Sequence, residues 1–327
     1  MKAMVIVQRK EGGALEFREV PEPEPNPDEL LVRVKATSLN RADLYQIKGT
    51  YDKTQRPADG VIAGLDAAGE VAGMGRDVCG FALGDRVMGI CAGGYAEFVT
   101  LNQHLAMPVP SRLSWEEAAT VPLAYMTEHN ALITQAHLQV GETVLVNAAS
   151  SGVGVAAIQI AKFHGARLVM GTASTPAKLA ALKALNIDLA INHRSENFGD
   201  AVLAATDGAG ADVIIDHVGG PYLKENLRCI AVKGRLVSVG RLGGTHAEID
   251  LELLALKRIQ MIGVTFRTRT LDEKIDIARG VVTDLLPAFE NGRLKPVIDR
   301  VFTLRQAPEA QAYMASNTHI GKIVLKV

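Results

Sequence analysis

From Thr127 to Phe266 the chain alternates short apolar runs with helical segments, and no other feature limits its fold so tightly. The runs are "ETVLVNA", "ARLVMGT", "DLAINH", "ADVIIDHVG", "GRLVSVG" and "IQMIGVTF". Between them stand "GVAAIQIAKFHG" and "PAKLAALKALN", with "TEHNALITQAHL" read as a helix leading in. A strand covered on both faces has no polar side to alternate with, so it reads as one continuous apolar run. The pattern therefore predicts a parallel sheet with helices on both faces, an α/β doubly wound domain.

The flanking sequence has a different texture. Up to about residue 120, short strands such as "MKAMVIV", "LLVRVKATSL", "GEVAGMG" and "GDRVMGI" are separated by turns and by the stiff "PEPEPNPDE", which predicts a small irregular barrel. After Phe266 comes a helix, "DEKIDIARGVVTDLLPAFENG", then the strand-like "IDRVFTL" and "GKIVLKV". The last strand has no place in the parallel sheet and is expected to return to the barrel. The expected division is 1–122 for the first part of the barrel domain, 123–265 for the doubly wound domain and 266–327 for the return. A chain of 327 residues is long enough for two such cores.

Composition narrows the function classes. Charged residues make up 22% and the formal net charge is −1, so no broad field attracts nucleic acid or an anionic membrane. Cys79, Cys91 and Cys229 lack C-x-x-C spacing, which suggests neither a disulfide framework nor a zinc lobe. The apolar start breaks at Gln8 and Arg9, and no later run is apolar for ~18 residues, so the expectation is a cytoplasmic protein without a membrane partner.

The turn "NAASSGVG" carries the first chemistry. A strand ends near Asn147 and a helix begins near Gly152, so backbone N–H groups and the helix dipole point into a turn where a pyrophosphate can sit. The G-x-G-x-x-G fingerprint is met in part: Ala149 and Ser151 stand at its first two glycines, while Gly152 and Gly154 flank Val153. A tight strand-to-helix turn in some other open sheet is the alternative, and the surrounding strand–turn–helix–strand unit favours the dinucleotide. An NAD site usually has an Asp or Glu about 20 residues past the glycines. Here no acidic residue occurs between Glu142 and Asp188, and Ser174, Thr175 and Lys178 follow the second strand, which favours NADPH.

"LNRADLYQIKGTY" (39–51), "GLDAAGEV" (64–71), "GDRVMGI" (84–90), "GGYAEF" (93–98), "ASSGVGVAAIQIAK" (149–162), "DHVGG" (216–220) and "IGKIVL" (320–325) together resemble the zinc-free quinone oxidoreductases of the medium-chain dehydrogenase/reductase family. The branch most resembled is the stress-inducible one, a relative of zeta-crystallin. The resemblance implies a GroES-like catalytic domain joined to a Rossmann cofactor domain. It also argues against zinc. The zinc alcohol dehydrogenases have Cys where this chain has Asn40 and a His–Glu pair where it has Leu65 and Asp66, and the four-cysteine lobe is missing between Gly80 and Tyr95.

Taken residue by residue, the resemblance places Asn40, Tyr45 and Tyr51 in the segment that lines the nicotinamide cleft. Asn40 or Tyr51 would donate a hydrogen bond to a substrate oxygen, with barrel packing the alternative for either tyrosine. Thr127 resembles the threonine beside the nicotinamide and also suits an N-cap. Ser151 resembles the serine of the pyrophosphate turn, and Ser174 and Lys178 would hold a 2′-phosphate. His193 stands where tyrosine often stacks near the adenosine phosphate, Arg194 adds charge, and an exposed loop histidine is the alternative. Gly240, Arg241 and Leu242 follow a strand at its carboxyl end, where such sheets bind ligands. Phe266 and Arg269 resemble cleft residues, and Asn317 a C-terminal cofactor contact beside His319.

The function implied is NADPH-dependent hydride transfer to quinones, ortho-quinones among them, or to related conjugated carbonyls. An enoyl or acryloyl thioester reductase is the alternative enzyme, and an NADPH-binding structural or RNA-binding protein is the alternative of another class. The apolar "IQMIGVTF", placed at a sheet edge, would leave backbone groups unpaired, so a homodimer through the Rossmann sheet edge is expected.

Overall fold

The computed structural model describes residues 1–9, 12–49 and 60–327. Internal contacts divide the chain into two compact units, Met1–Met126 with Arg269–Val327, and Thr127–Thr268.

The first unit opens with an antiparallel pair, β1 (Lys2–Arg9) and β2 (Gly12–Glu19). Then follow β3 (Glu29–Ser38), helix α1 (Arg41–Ile47), β4 (Asp66–Met74), β5 (Arg86–Ile90), β6 (Phe98–Asn102), the short β7 (Met107–Pro108), α2 (Trp115–Ala119) and α3 (Pro122–His129), whose last turn from Thr127 belongs to the second unit. Its C-terminal part adds α9 (Leu271–Asp284), α10 (Leu286–Glu290), β14 (Ile298–Thr303), α11 (Ala307–Ala315) and β15 (Lys322–Lys326). The sheet order is β14-β15-β3-β4-β5-β7, with β6 also on β3. The "GKIVLKV" strand does return: Val324 to Lys326 pair antiparallel with Ser38 to Ala36. Met4, Ile6, Leu39, Tyr95, Phe302, Met314 and Leu325 are part of the core between sheet and helices.

The second unit is the doubly wound one. It contains β8 (Thr143–Val146), α4 (Gly152–Phe163), β9 (Leu168–Ala173), α5 (Pro176–Ala184), β10 (Leu189–Asn192), α6 (Phe198–Ala205), β11 (Ala211–Asp216), α7 (Leu223–Cys229), β12 (Ile230–Ser238), α8 (Leu251–Lys257) and β13 (Gln260–Gly263). The sheet is parallel throughout, in the order β10-β9-β8-β11-β12-β13. The chain winds outward from β8 to β10 and then returns to the other side of β8, so the winding reverses between β8 and β11. In open α/β sheets the crevice at that reversal, beyond the carboxyl ends of the strands, is where ligands bind.

Two expectations shift in detail. The expected helix over "TEHNALITQAHL" is divided, with α3 ending at His129 and Asn130–Gln135 continuing as a π-helix. The step falls within a run of five consecutive buried residues, Glu128 to Leu132. The strand expected over 259–266 is shorter, because β13 ends at Gly263 and the chain turns at Phe266. β13 is the edge of the sheet, and Met261 on it is 45% exposed.

Candidate functional site

β8 is buried along its whole length and delivers Asn147 to the carboxyl edge of the sheet. The turn that follows is tied at Ala148, Ala149 and Ser151. Ala148 takes a left-handed conformation (φ 55°), its N–H donates to Thr172 Oγ1 at 3.1 Å, and its carbonyl accepts from the Ser151 N–H at 3.0 Å and hydroxyl at 2.8 Å. Ser151 caps α4 by accepting from the Gly154 N–H at 3.1 Å. The geometry of a helix start leaves the first N–H groups, here those of Gly152 and Val153, without intrahelical acceptors. Gly154 is there for space: a Cβ on it would lie 2.6 Å from the carbonyl oxygens of Ala148 and Ala149. A turn this close-packed, opening on a twelve-residue helix, fits a pyrophosphate.

The next two strand ends gather the groups expected to hold a phosphate. β10 runs beside β9 with Asn192 opposite Ala173, and the His193 N–H donates to the Ala173 carbonyl at 3.2 Å. His193 thereby stands next to Ser174. Thr175 caps α5, accepting from the Lys178 N–H, which sets Lys178 in the first turn. Burial lowers the His193 pKa, and the positive charges of Arg194 and Lys178 lower it further. The edge of the His193 ring also meets Tyr222, 5.8 Å between centroids. This corner holds cations and a hydroxyl where an NAD site would carry a carboxylate, and it fits a 2′-phosphate.

Beyond β12 the Gly240–Leu242 loop lies directly on the end of β11. A Cβ on Gly240 would sit 2.5 Å from the His217 carbonyl oxygen, and the Leu242 N–H donates to that oxygen at 3.3 Å. Arg241 is half-buried beside them. Thr127 is half-buried and adjoins Glu128, whose carboxylate meets His217, so it too belongs to this end of the sheet. Phe266 is half-buried in the turn after β13. Arg269 and Asn317 belong to the other unit, where Arg269 pairs with Glu273 at 3.4 Å and Asn317, at φ 59°, bonds Arg41.

In the first unit, Asn40 anchors a buried polar cluster. Its Nδ2 donates to Asp66 Oδ2 at 2.9 Å and to the Ser38 carbonyl at 3.3 Å, while its Oδ1 accepts from the Lys322 ammonium at 2.6 Å. Lys322 also donates to the Leu39 carbonyl at 2.9 Å and lies 3.9 Å from Asp66 Oδ2. The Ser38 hydroxyl and N–H complete Asp66. The family resemblance makes Asn40 a donor to a substrate oxygen; in this geometry both amide hydrogens are engaged, and the side chain orients Asp66 and Lys322 instead. Next to it, Asp43 Oδ2 accepts from the Asn40 N–H at 2.8 Å and the Tyr95 hydroxyl at 2.7 Å. Burial pushes the Asp43 carboxyl up to about 7 against the opposing pull of these bonds. Tyr45 is 39% exposed on α1, and Tyr51 lies outside the described residues.

These residues do not fit a zinc ion. An amide, an aliphatic side chain at Leu65 and a resident ammonium stand where soft or imidazole ligands are needed, and no group of three or more His, Cys, Asp or Glu among the described residues could hold a metal.

Asp43, Asp66, Lys322, Glu128 and His217 escaped the sequence reading as site residues. A signal was present for some: Asp43, Asp66 and Lys322 are ionisable residues among apolar neighbours, in "ADLYQI", "GLDAAGEV" and "IGKIVL". A charge in such a setting must find a buried partner.

The winding of the sheet and the turn at its reversal define a pyridine-nucleotide oxidoreductase with a GroES-like and a Rossmann-type part. Residues 26–111 match the family described as alcohol dehydrogenase GroES-like domain, and 152–279 that described as zinc-binding dehydrogenase. The chain is 34% identical to a quinone oxidoreductase of Pseudomonas aeruginosa, over 95% of each chain. It is 35% identical to the spectinabilin polyketide synthase system protein NorB of Streptomyces orinoci over 91% of its own length, and spans 13% of that longer protein. Among solved structures it is similar to an NAD-dependent alcohol dehydrogenase (TM-score 0.89, 32% identity, all of both chains). It also resembles the CurK enoyl reductase (TM-score 0.86, 27% identity, 99% of this chain and 98% of that one). A mycobacterial protein complexed with NADPH gives a TM-score of 0.88 at 26% identity over all of both chains. The chain belongs to the medium-chain dehydrogenase/reductase family, and quinone oxidoreductases are among its full-length relatives.

Proposed function

We propose that this protein is an NADPH-dependent reductase that works without zinc and delivers hydride to quinones, ortho-quinones among them, or to related conjugated carbonyls. The observation that carries the cofactor choice is the corner of Ser174, Lys178, His193 and Arg194, with no acidic residue between Glu142 and Asp188. A bound reduced nicotinamide supplies the hydride. The chain's own residues bind and orient: the α4 start and Ser151 take the pyrophosphate, the cationic corner takes the 2′-phosphate, and Thr127 with the Gly240–Leu242 loop bounds the nicotinamide end. Conjugation already makes such acceptors electron-poor, so positioning supplies much of the barrier reduction. Tyr51 is the donor expected to steady the developing oxyanion, and Asn40 holds its polar cluster of Asp66 and Lys322.

A second reading is favoured by the polyketide synthase and enoyl reductase relatives: reduction of the C=C bond of an enoyl thioester. Titration with NADPH and NADH, followed by stopped-flow oxidation of NADPH with 9,10-phenanthrenequinone, a short enone and a crotonyl thioester, separates the two. Rapid quinone turnover supports the main reading, and turnover of the thioester alone replaces it with the second. Binding of NADPH with no oxidation by any acceptor points to a binding protein, and failure to bind removes the cofactor assignment.

A further inference from the structure

We propose that the buried His217–Glu128 pair is the positioning element of the cofactor site, holding three cofactor-facing segments in place only while His217 carries its second ring proton. The inference rests on the reading of this sheet edge as the pyridine-nucleotide site. His217 Nδ1 lies 2.8 Å from the Asn147 carbonyl oxygen, and its Nε2 lies 2.9 Å from Glu128 Oε1. The Asn147 carbonyl accepts, and so does Glu128 in its ionised form, so with the carboxylate each ring nitrogen must carry a hydrogen to make its bond and the imidazolium satisfies both. The side chains are 3% and 0% exposed, and Glu128 Oε2 has no hydrogen-bond partner. The carboxylate therefore depends on His217 for its hydrogen bond.

Each contact leads to a different cofactor segment. Asn147 immediately precedes the Ala148–Ser151 turn, and its side chain bonds Asn226 at 2.8 Å. The His217 carbonyl carries the Leu242 N–H and leaves no room for a Cβ at Gly240. Glu128 adjoins Thr127. The pair thus stands at the reversal between β8 and β11, joining the turn after β8, the loop after β12 and the end of α3.

The charged groups facing His217 are Glu128 from α3 and Asp216 from β11. Burial opposes the imidazolium, but the Glu128 charge and hydrogen bond, the Asn147 carbonyl and Asp216 outweigh it and raise the His217 pKa above its usual value. The second proton is thus held below that raised pKa and lost as pH rises through it. Loss would leave a ring lone pair facing a carboxylate in a buried site, and the three segments would part.

The test is the dissociation constant of NADPH and of NADH from pH 6 to pH 9.5, for the wild type, Glu128→Gln and His217→Asn. Using both nucleotides separates His217 from the 2′-phosphate and His193, which act on NADPH alone. Wild-type affinity is expected to fall about tenfold for both nucleotides as His217 titrates, the equivalent of losing one charge-assisted hydrogen bond. Glu128→Gln and His217→Asn should bind both more weakly and without that step. A step unchanged in Glu128→Gln, or variants that lose thermal stability while keeping wild-type affinity and pH profile, would overturn the proposal. Because the variants can misfold, ¹⁵N signals of the wild-type His217 ring give an independent reading. Two protonated nitrogens at pH 7 are expected, and a neutral ring overturns the proposal. A wild type that binds neither nucleotide at any pH removes the cofactor reading itself, which the ring signals alone would not do.

Discussion

Lys178 and Asp43 show how one side chain can be tested apart from the fold. Lys178 lies in the first turn of α5, and its charge is felt at His193. Removing it should weaken NADPH binding about tenfold or more, the scale of one charge-assisted phosphate contact, and leave NADH binding within about twofold. Equal losses for the two nucleotides, measured by fluorescence titration, would place the 2′-phosphate elsewhere. Asp43 is an acid whose folded pKa, about 7, lies above its ordinary 3.8. The folded state therefore binds the extra proton between those values, and the stability this provides is full below the lower value and lost as pH rises through the upper one. The difference corresponds to about 4 kcal/mol. Asp43→Asn, which keeps the acceptor for Asn40 and Tyr95 without a charge, should flatten the fall in Tm from pH 5 to pH 8. An unchanged slope would mean that Asp43 is ionised at low cost.

The turn from β8 into α4 is the smallest element to which the proposed function gives a role. Its sequence departs from the glycine-rich fingerprint, yet the geometry explains each substitution. Ser151 caps the helix through a side-chain oxygen that glycine lacks, and Ala149 is buried beside Gly171, where a further Cβ would lie 2.6 Å from the Ala149 Cβ. Ser151→Ala should cost about 1 kcal/mol in urea unfolding, the usual worth of an N-cap. Gly154→Ala should cost more, about 1–3 kcal/mol for a forced backbone shift, and should weaken both nucleotides, since the Ala148 and Ala149 carbonyls have nowhere to go. Wild-type stability and affinity in Gly154→Ala would show that the turn is looser than its packing implies. The π-helical step after α3 is hidden in the sequence because "TEHNALITQAHL" has a helical pattern throughout, and the step becomes evident only in three dimensions.

For the whole molecule, the exposed edge of the parallel sheet leads to a prediction about assembly. Among the described residues β13 has no neighbour on its outer side, and Met261, Leu256 and Leu251 nearby are 45%, 68% and 67% exposed. We expect a second copy to cover this edge. Sedimentation should give a dimer at micromolar concentration, and Met261→Lys with Leu256→Lys should give a folded monomer of similar Tm; a monomeric wild type would refute the pairing. The winding of the sheet, the strands at its centre, the return of the last strand and the position of the turn between β8 and α4 were all legible in the sequence. They depend on local apolar runs and on residues adjacent in the chain, and such patterns survive in one dimension. The buried polar partnerships were not legible. His217 finds Glu128 across 89 residues, and Lys322 finds Asn40 across 282. Each such residue shows by itself only that a buried charge needs a partner. Which partner it has, and so whether Asn40 is free to meet a substrate or holds an ammonium in place, was decided by how the strands brought distant segments within hydrogen-bond range.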